Sequence, residues 1–309
     1  MRTAPPSLTT FNEIAPLGTF ARRRASLWME VLQMKRKRLW YALGLLAALV
    51  LLAAVALDQR LIVRHYEIDA EEITAPVRLA VVTDLHECDY GPDGAELLAA
   101  VRAQQPDAVL CVGDMFADGG SYAYGLAVME ALAAEWPTFY VTGNHEYWTN
   151  EVDRIIGLVT ANGVTVLDQT CTLLEVNGQR ISLCGVPDPY AMVYSGAPDT
   201  AVQLAETIAQ AEPGTFILLM AHRPELIDGY AAAGFDLVVS GHAHGGQVRI
   251  PGLINGLCAP NQGWFPKYAG GEYRVGDTTL IVSRGLSTQA QWYVPRIFNR
   301  PELVVITLE

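Results

Sequence analysis

Arg78-Leu79-Ala80-Val81-Val82-Thr83-Asp84-Leu85-His86 (78–86) is an apolar, β-branched run that ends in a carboxylate and an imidazole. Such a run, apolar at successive positions, reads as a strand buried on both faces. The Asp-x-His ending places two side chains on one face of an extended segment, as a shared ligand requires. Four further runs end in a similar way. Ala108–Val112 leads to Gly113-Asp114, and Phe139–Thr142 to Gly143-Asn144-His145-Glu146. Phe216–Ala221 leads to His222, and Asp236–Ser240 to Gly241-His242-Ala243-His244. In open α/β sheets the carboxyl ends of the strands line the ligand crevice, so these five turns should converge. Three of them begin with Gly, which permits the sharp turn that aims a side chain at a common centre.

Outward from these turns, apolar strands alternate with helical stretches. Strands are predicted at 78–83, 107–112, 138–142, 165–168, 171–176, 179–185, 214–221, 235–240, 279–283 and 303–308, after a first strand over 60–68. Helices are predicted at 94–104, 122–135, 151–162, 199–211 and 224–233. Short buried strands between helices imply a layered α/β domain over residues 58–309. The hairpin at Asn177-Gly178 and the strand-rich C-terminus add a mixed second sheet. Register counted outward from that turn puts Cys171 opposite Cys184 in a non-hydrogen-bonded pair. Either a disulfide or two apolar inward-facing residues satisfies this placement.

The chemistry at the strand ends suits a pair of divalent ions. Carboxylate, imidazole and amide oxygen together favour Mn²⁺, Fe or Zn²⁺ over an all-thiolate or all-oxygen site. Five of the six histidines lie at these strand ends; His65, in the first strand, is given no role. Asp114 is the candidate to bridge the two ions. Five cysteines without a CxxC pair make no zinc-finger spacing, and Cys88 reads as a bystander.

The ordered set Asp84-x-His86, Gly113-Asp114, Gly143-Asn144-His145-Glu146, His222 and Gly241-His242-x-His244 resembles the calcineurin-like metallophosphoesterase superfamily over about 78–250. The Gly241–Gln247 ending and a preceding apolar segment resemble its membrane-associated bacterial branch, which includes enzymes that hydrolyse a UDP-diacylglucosamine pyrophosphate bond. The resemblance implies a four-layer α/β/β/α sandwich. It implies one ion held by Asp84, His86, Asp114 and His244, and a second by Asp114, Asn144, His222 and His242. Two ions roughly 3.5–4 Å apart would acidify a bridging water and clamp the non-bridging oxygens of the substrate during in-line attack. His145 is the expected general acid for the leaving oxygen; merely orienting Asp84 or the water is the alternative. Met115-Phe116-Ala117-Asp118 lacks the Asp-Arg-Gly continuation of the phosphoprotein phosphatases, which argues against that branch. Asp118 lies one position later than the acid of related enzymes and is left outside the site. Arg223 reads as a surface residue at a helix start, with phosphate contact as the alternative.

Leu39–Leu57 is free of charge and, as a helix, spans roughly 28 Å, close to a bilayer core of about 30 Å. Lys35–Arg38 and Arg22–Arg24 precede it, so the N-terminus is expected in the cytoplasm and the body outside. The run exceeds the h-region of a signal peptide, so an uncleaved anchor is preferred to a cleaved segment ending near Ala54-Val55-Ala56. Residues 1–38 are expected as a flexible basic tail. They hold eight Lys/Arg against two acids, leaving 13 basic and 31 acidic residues for 39–309. So acidic a body disfavours nucleic acid as a partner. A phosphoester substrate, lipid- or nucleotide-linked, is the leading expectation; a broad phosphomonoesterase or nucleotidase and a non-catalytic scaffold are the alternatives. Trp264, Phe265, Tyr268 and Tyr273, and Trp292, Tyr293, Phe298 and Arg300, would form an apolar rim for a lipid, or simply pack irregular loops.

Overall fold

The computed structural model describes residues 17–119, 121–289 and 294–309, without side chains for 17–21. Trp292 and Tyr293 of the expected rim lie outside the described residues. Two compact units make up the chain, one ending at Val55 and one beginning at Ala56.

The first unit holds α1 (Leu17–Ala56) but for its last residue, Ala56, which belongs to the second. It starts well ahead of the expected span, so residues 17–38 are helical where a flexible tail was expected. Arg, Lys, Leu, Met and Glu are good helix formers, and no Gly or Pro interrupts residues 19–43. Among the described residues α1 is the one helix long and apolar enough to cross a membrane, and Leu45, Leu49, Leu51 and Leu52 are exposed along it.

The second unit contains two six-stranded mixed sheets. The first runs β1 (Ile62–Ile68), β14 (Glu302–Leu308), β2 (Val77–Val82), β3 (Ala108–Val112), β4 (Thr138–Val141) and β5 (Thr165–Val166). All its neighbours are parallel except β14 and β2, so the last strand closes the sheet beside the first. The second sheet runs β12 (Gly271–Val275), β13 (Thr278–Val282), β9 (Leu237–Ser240), β8 (Phe216–Met220), β7 (Gln179–Gly185) and β6 (Thr170–Val176). Its two outermost pairs are antiparallel. A two-stranded hairpin, β10 (Cys258–Ala259) and β11 (Gly263–Trp264), stands apart.

Side-chain alternation along each strand sorts the core into three layers. Leu79, Val81, Leu110 and Val141 of the first sheet meet Leu218, Met220, Val239 and Ile281 of the second. The opposite faces carry Ala80, Val82, Val109 and Cys111 in one sheet and Leu219, Val238 and Leu280 in the other. These pack under helices: α2 (Ala95–Gln104), α3 (Ala123–Ala133) and α5 (Val152–Ala161) on the first, α7 (Thr200–Ile208) and α8 (Ile227–Ala233) on the second. Two faces per strand, each covered, require apolar residues at every position, which is why the strands read as continuous runs. The result is the four-layer α/β/β/α sandwich. Two short helices, α4 (Asn144–Trp148) and α6 (Tyr190–Tyr194), lie in loops and were not predicted. The hairpin register is as counted: Cys171 pairs with Cys184, and the two are disulfide-bonded.

Candidate metal centre

All five polar strand ends meet at the seam between the sheets. The first sheet delivers Asp84 and His86 after β2, Asp114 after β3, and Asn144 and His145 at the start of α4 after β4. The second delivers His222 after β8, and His242 and His244 after β9. The seven expected ligands are all buried, and His145 is partly exposed. Asp84, His86, Asp114, His242 and His244 all sit at positive φ, between 46° and 64°. Each such residue costs about 1–2 kcal/mol relative to ordinary backbone, so the surrounding packing holds these side chains inward against local preference. Gly113, at φ 80°, is obligatory here: a Cβ would stand 2.5 Å from His222 Nδ1 and 2.9 Å from Gly143 Cα.

The donor atoms form three overlapping groups, each within 4.8 Å: Asp84, His86 and His244; His86, Asp114 and His145; Asp114, His222 and His242. His244 Nε2 lies 3.3 Å from Asp84 Oδ1, and His222 Nε2 3.1 Å from Asp114 Oδ2. His86 Nε2 is 3.7 Å from Asp114 Oδ2 and 3.2 Å from His244 Nε2. Two imidazole nitrogens this close share either a proton or a cation.

Charge and hydrogen bonding prepare the cluster for cations. Burial pushes the His86 imidazole down to about 3, and likewise lowers His242 and His244, so all three offer lone pairs at neutral pH. Burial works to raise Asp84 and Asp114, but the imidazoles of His244 and His222 outweigh it and hold both carboxyls below their ordinary range. Burial also works to lower His222, yet the Asp114 charge lifts it to about 10. His222 Nδ1 donates to the Val112 carbonyl at 2.9 Å, leaving Nε2 toward Asp114. His242 Nε2 pairs with Asn261 Oδ1 at 2.9 Å, which leaves Nδ1 for a ligand. Asn144 Oδ1 is buried without a hydrogen-bond partner among the described residues. A buried acceptor left unpaired beside two carboxylates is what a bound cation would satisfy, and the donor set fits divalent ions.

Several neighbours of the site were not assigned from sequence. Glu146 is fully buried and accepts N–H groups from Gly143 (2.6 Å), Asp114 (3.0 Å) and Phe116 (3.2 Å). It ties the β3 turn to the start of α4, and burial together with the Asp114 charge pushes it up to about 7. Its place in Gly-Asn-His-Glu was the available signal. Asp118, left outside the site, contacts His145 Nδ1 and so turns the other ring nitrogen toward the cluster, with Nε2 4.0 Å from Asp114 Oδ2. Arg223 is not a surface residue. It is 5% exposed, clamped by Asp188 through Nε and Nη2, and donates to Asn261 Oδ1 at 2.6 Å. A buried carboxylate at the end of the neighbouring strand β7, 35 residues away in the chain, is invisible to local sequence, so only the fold reveals this pair. Arg223, Tyr190, Trp148 and Asn261 wall a cleft of about 270 Å³ over the candidate ligands. The Trp148 ring lies 4.6 Å from that of His145, tilted by 52°, and the Arg223 guanidinium lies 5.5 Å from the Tyr190 ring.

A sheet seam carrying carboxylates, imidazoles and an amide beneath an open cleft defines a metal-dependent hydrolase. Residues 77–246, more than half of the chain, match the calcineurin-like phosphoesterase family, and the chain belongs to it. It is therefore a metal-dependent phosphoester hydrolase. It is similar to Escherichia coli phosphodiesterase YaeI, with 26% identity over 253 residues covering 80% of this chain and 87% of that one. Similarity to the uncharacterized metallophosphoesterase YkuE of Bacillus subtilis is also 26%, over 75% of this chain and 79% of that protein. A bovine transmembrane protein with a metallophosphoesterase domain is 26% identical over 75% of this chain and 53% of its own length.

Proposed function

We propose that the chain is a dinuclear phosphodiesterase or pyrophosphatase of the cell envelope, anchored by α1 with its catalytic body outside the cytoplasm. The observation that carries this reading is the convergence of three overlapping donor groups, in which Asp114 shares one group with His86 and another with His222 and His242, as a ligand common to both ions would. Asp84, His86, Asp114 and His244 would hold one ion; Asp114, Asn144, His222 and His242 would hold the other. Such a pair supplies an acidified water and charge compensation for the phosphoryl oxygens. The chain's own residues do the rest. Asp118 holds the His145 ring so that its second nitrogen can give a proton to the leaving oxygen. Arg223, fixed by Asp188, stands in the cleft wall beside the second ligand set, where it can orient an anionic substrate. The similarity to a protein named a phosphodiesterase supports a diester substrate. The basic residues in the first half of α1, Arg22–Arg24 and Lys35–Arg38, ahead of the charge-free run 39–57, support the orientation.

The test is a metal-stripped preparation of the full chain in detergent, assayed on bis-p-nitrophenyl phosphate and p-nitrophenyl phosphate with Mn²⁺, Fe²⁺, Zn²⁺ or Mg²⁺ restored in turn. Metal-dependent cleavage favouring the diester supports the reading. Preference for the monoester points to a phosphatase, and two ions bound without turnover of either ester points to a narrow substrate or a scaffold.

A further inference from the structure

Charge in the catalytic body is segregated. Residues 39–309 hold 13 basic against 31 acidic residues, yet six of the thirteen gather where the chain enters the body. Phe298 N–H donates to the Ala56 carbonyl at 2.6 Å, and Gln59 Nε2 to the Arg296 carbonyl at 3.2 Å. Arg300 Nε caps the Arg60 carbonyl at 2.8 Å, Arg249 N–H bonds Ile297 at 2.9 Å, and Arg296 Nη2 reaches the Arg284 carbonyl at 2.6 Å. Arg64 faces Glu302, which Arg284 shares. Among the described residues the carboxylates ion-paired with these six guanidiniums are Asp58 and Glu302; Arg284 and Arg296 are buried, so Arg60 and Arg64 carry most of the exposed charge. The Arg60 and Arg64 side chains are 82% and 56% exposed.

From this neck runs the segment 247–265. Val248 bridges to Ile297, and beyond Arg249 the chain exposes Ile250, Leu253, Trp264 and Phe265, with Leu253 at 79% and Trp264 at 71%. Isolated exposed apolar residues are ordinary; four on one segment beside a guanidinium surplus are not. Trp264 belongs to the β10–β11 hairpin, whose turn carries Pro260 and Asn261 into the cleft wall.

We propose that this neck face, comprising Arg60 and Arg64, the Leu253 turn and the Trp264–Phe265 hairpin, seats on the surface of an anionic lipid bilayer. The proposal rests on the reading of α1 as a membrane anchor, whose last residue is Ala56. Guanidiniums pair with lipid phosphates, while Trp, Phe and Leu enter the interface beneath them. The remaining surface is acidic and is repelled by such lipids, so the arginines select which face lands. Seated this way, the hairpin holds the rim of the cleft at headgroup depth, within reach of a phosphoester that stays in the membrane.

The full chain, reconstituted in vesicles, provides the test. Cys88, Cys111 and Cys258 are buried and Cys171 is bonded to Cys184, so a cysteine introduced at an exposed position can be labelled selectively with an environment-sensitive fluorophore. Leu253→Cys probes the neck, Glu175→Cys the acidic edge of β6, and Leu49→Cys the anchor. In phosphatidylcholine vesicles containing phosphatidylglycerol, the label at 253 should shift to the blue and be quenched by doxyl lipids, while that at 175 is not. Removing phosphatidylglycerol, or combining Arg60→Gln with Arg64→Gln, should abolish the effect. A label at 253 that behaves like the one at 175, while that at 49 is quenched, overturns the docking and leaves the anchor standing. An unquenched label at 49 overturns the anchor and the docking together. Equal quenching at 253 without anionic lipid overturns the role given to the arginines.

Discussion

The two sheets contribute unlike halves of the site. From the first come both carboxylates, the amide and a single ligand imidazole: Asp84, Asp114, Asn144 and His86. From the second come imidazoles alone: His222, His242 and His244. Neither half would hold a divalent ion well. The first has charge but too few neutral donors, and the second has donors but no charge to offset a cation. The seam matters because two of the three imidazoles of the second sheet meet a carboxylate of the first, His244 at Asp84 and His222 at Asp114. Metal affinity in this arrangement depends on how the sheets pack, so the same core layer that stabilises the fold sets the spacing of the ligands.

The largest effect should come from the residue that joins the halves. Asp114→Asn keeps the shape but removes the charge shared by two donor groups. We expect turnover to vanish and bound metal to fall, with the melting curve of the metal-free protein retained. Full metal content and activity in this variant would refute the bridging assignment. His145→Ala leaves both halves intact and removes only the proton donor. Its expected loss in kcat is about 10²–10⁴-fold, the range for general acid catalysis, with metal content unchanged. The loss should shrink for a diester whose leaving group is acidic enough to depart unprotonated; a uniform loss across leaving groups would leave His145 a positioning residue.

The sheets were not equally legible in the sequence. Strands β2, β3, β8 and β9 carry their motifs directly after unbroken apolar runs, so both the fold and the candidate ligands could be read there. Edge strand β12 was missed because Gly271–Val275 alternates in exposure and holds Glu272 and Arg274, which look like loop. Helix α4 was missed because its first residues are the motif itself, and a helix of five residues has no apolar period to detect. At the site, Glu146, Asp118 and Asp188 act by pairing with groups distant in sequence, such as Arg223 with Asp188, and no local pattern encodes a partner. The candidate ligands were readable because coordination demands particular residue types, and these stand at strand ends that the fold brings together. What orients them depends on contacts across strands, which only packing specifies.

A smaller effect should follow from loosening one half without removing a ligand. Glu146→Gln keeps the volume but replaces an acceptor of three backbone N–H groups with an amide. Loss of an outer partner of this kind weakens metal binding by about 10–100-fold, and it should do so here through the first-sheet ligands Asp114 and Asn144. Titration calorimetry would detect this, and an unchanged affinity would show that the β3 turn holds itself. The same instrument can test the contact between the halves. In the ion-free protein His222 is raised from its ordinary 6.5 to about 10, so it is charged at pH 7. Its pairing with Asp114 stabilises the ion-free fold fully below pH 6.5, and that stabilisation is lost as the pH rises through about 10. A metal ion needs the Nε2 lone pair, so loading should expel about one proton at pH 7, seen as heat that varies with buffer ionisation. No such variation would mean that His222 is already neutral.

The smallest expected effect on turnover lies at the far edge of the second sheet. The Cys171–Cys184 bond staples β6 to β7, with 13 residues of sequence separation. Closing a loop of this length lowers the entropy of the unfolded chain by an amount worth about 3 kcal/mol. Replacing both cysteines with Ala should therefore lower the unfolding midpoint and leave kcat and metal content unchanged, because β7 lies between this edge and β8, which carries His222. If activity falls together with stability, the second sheet transmits strain from its edge to its ligands, and the two halves are then less independent than their separate strand ends suggest.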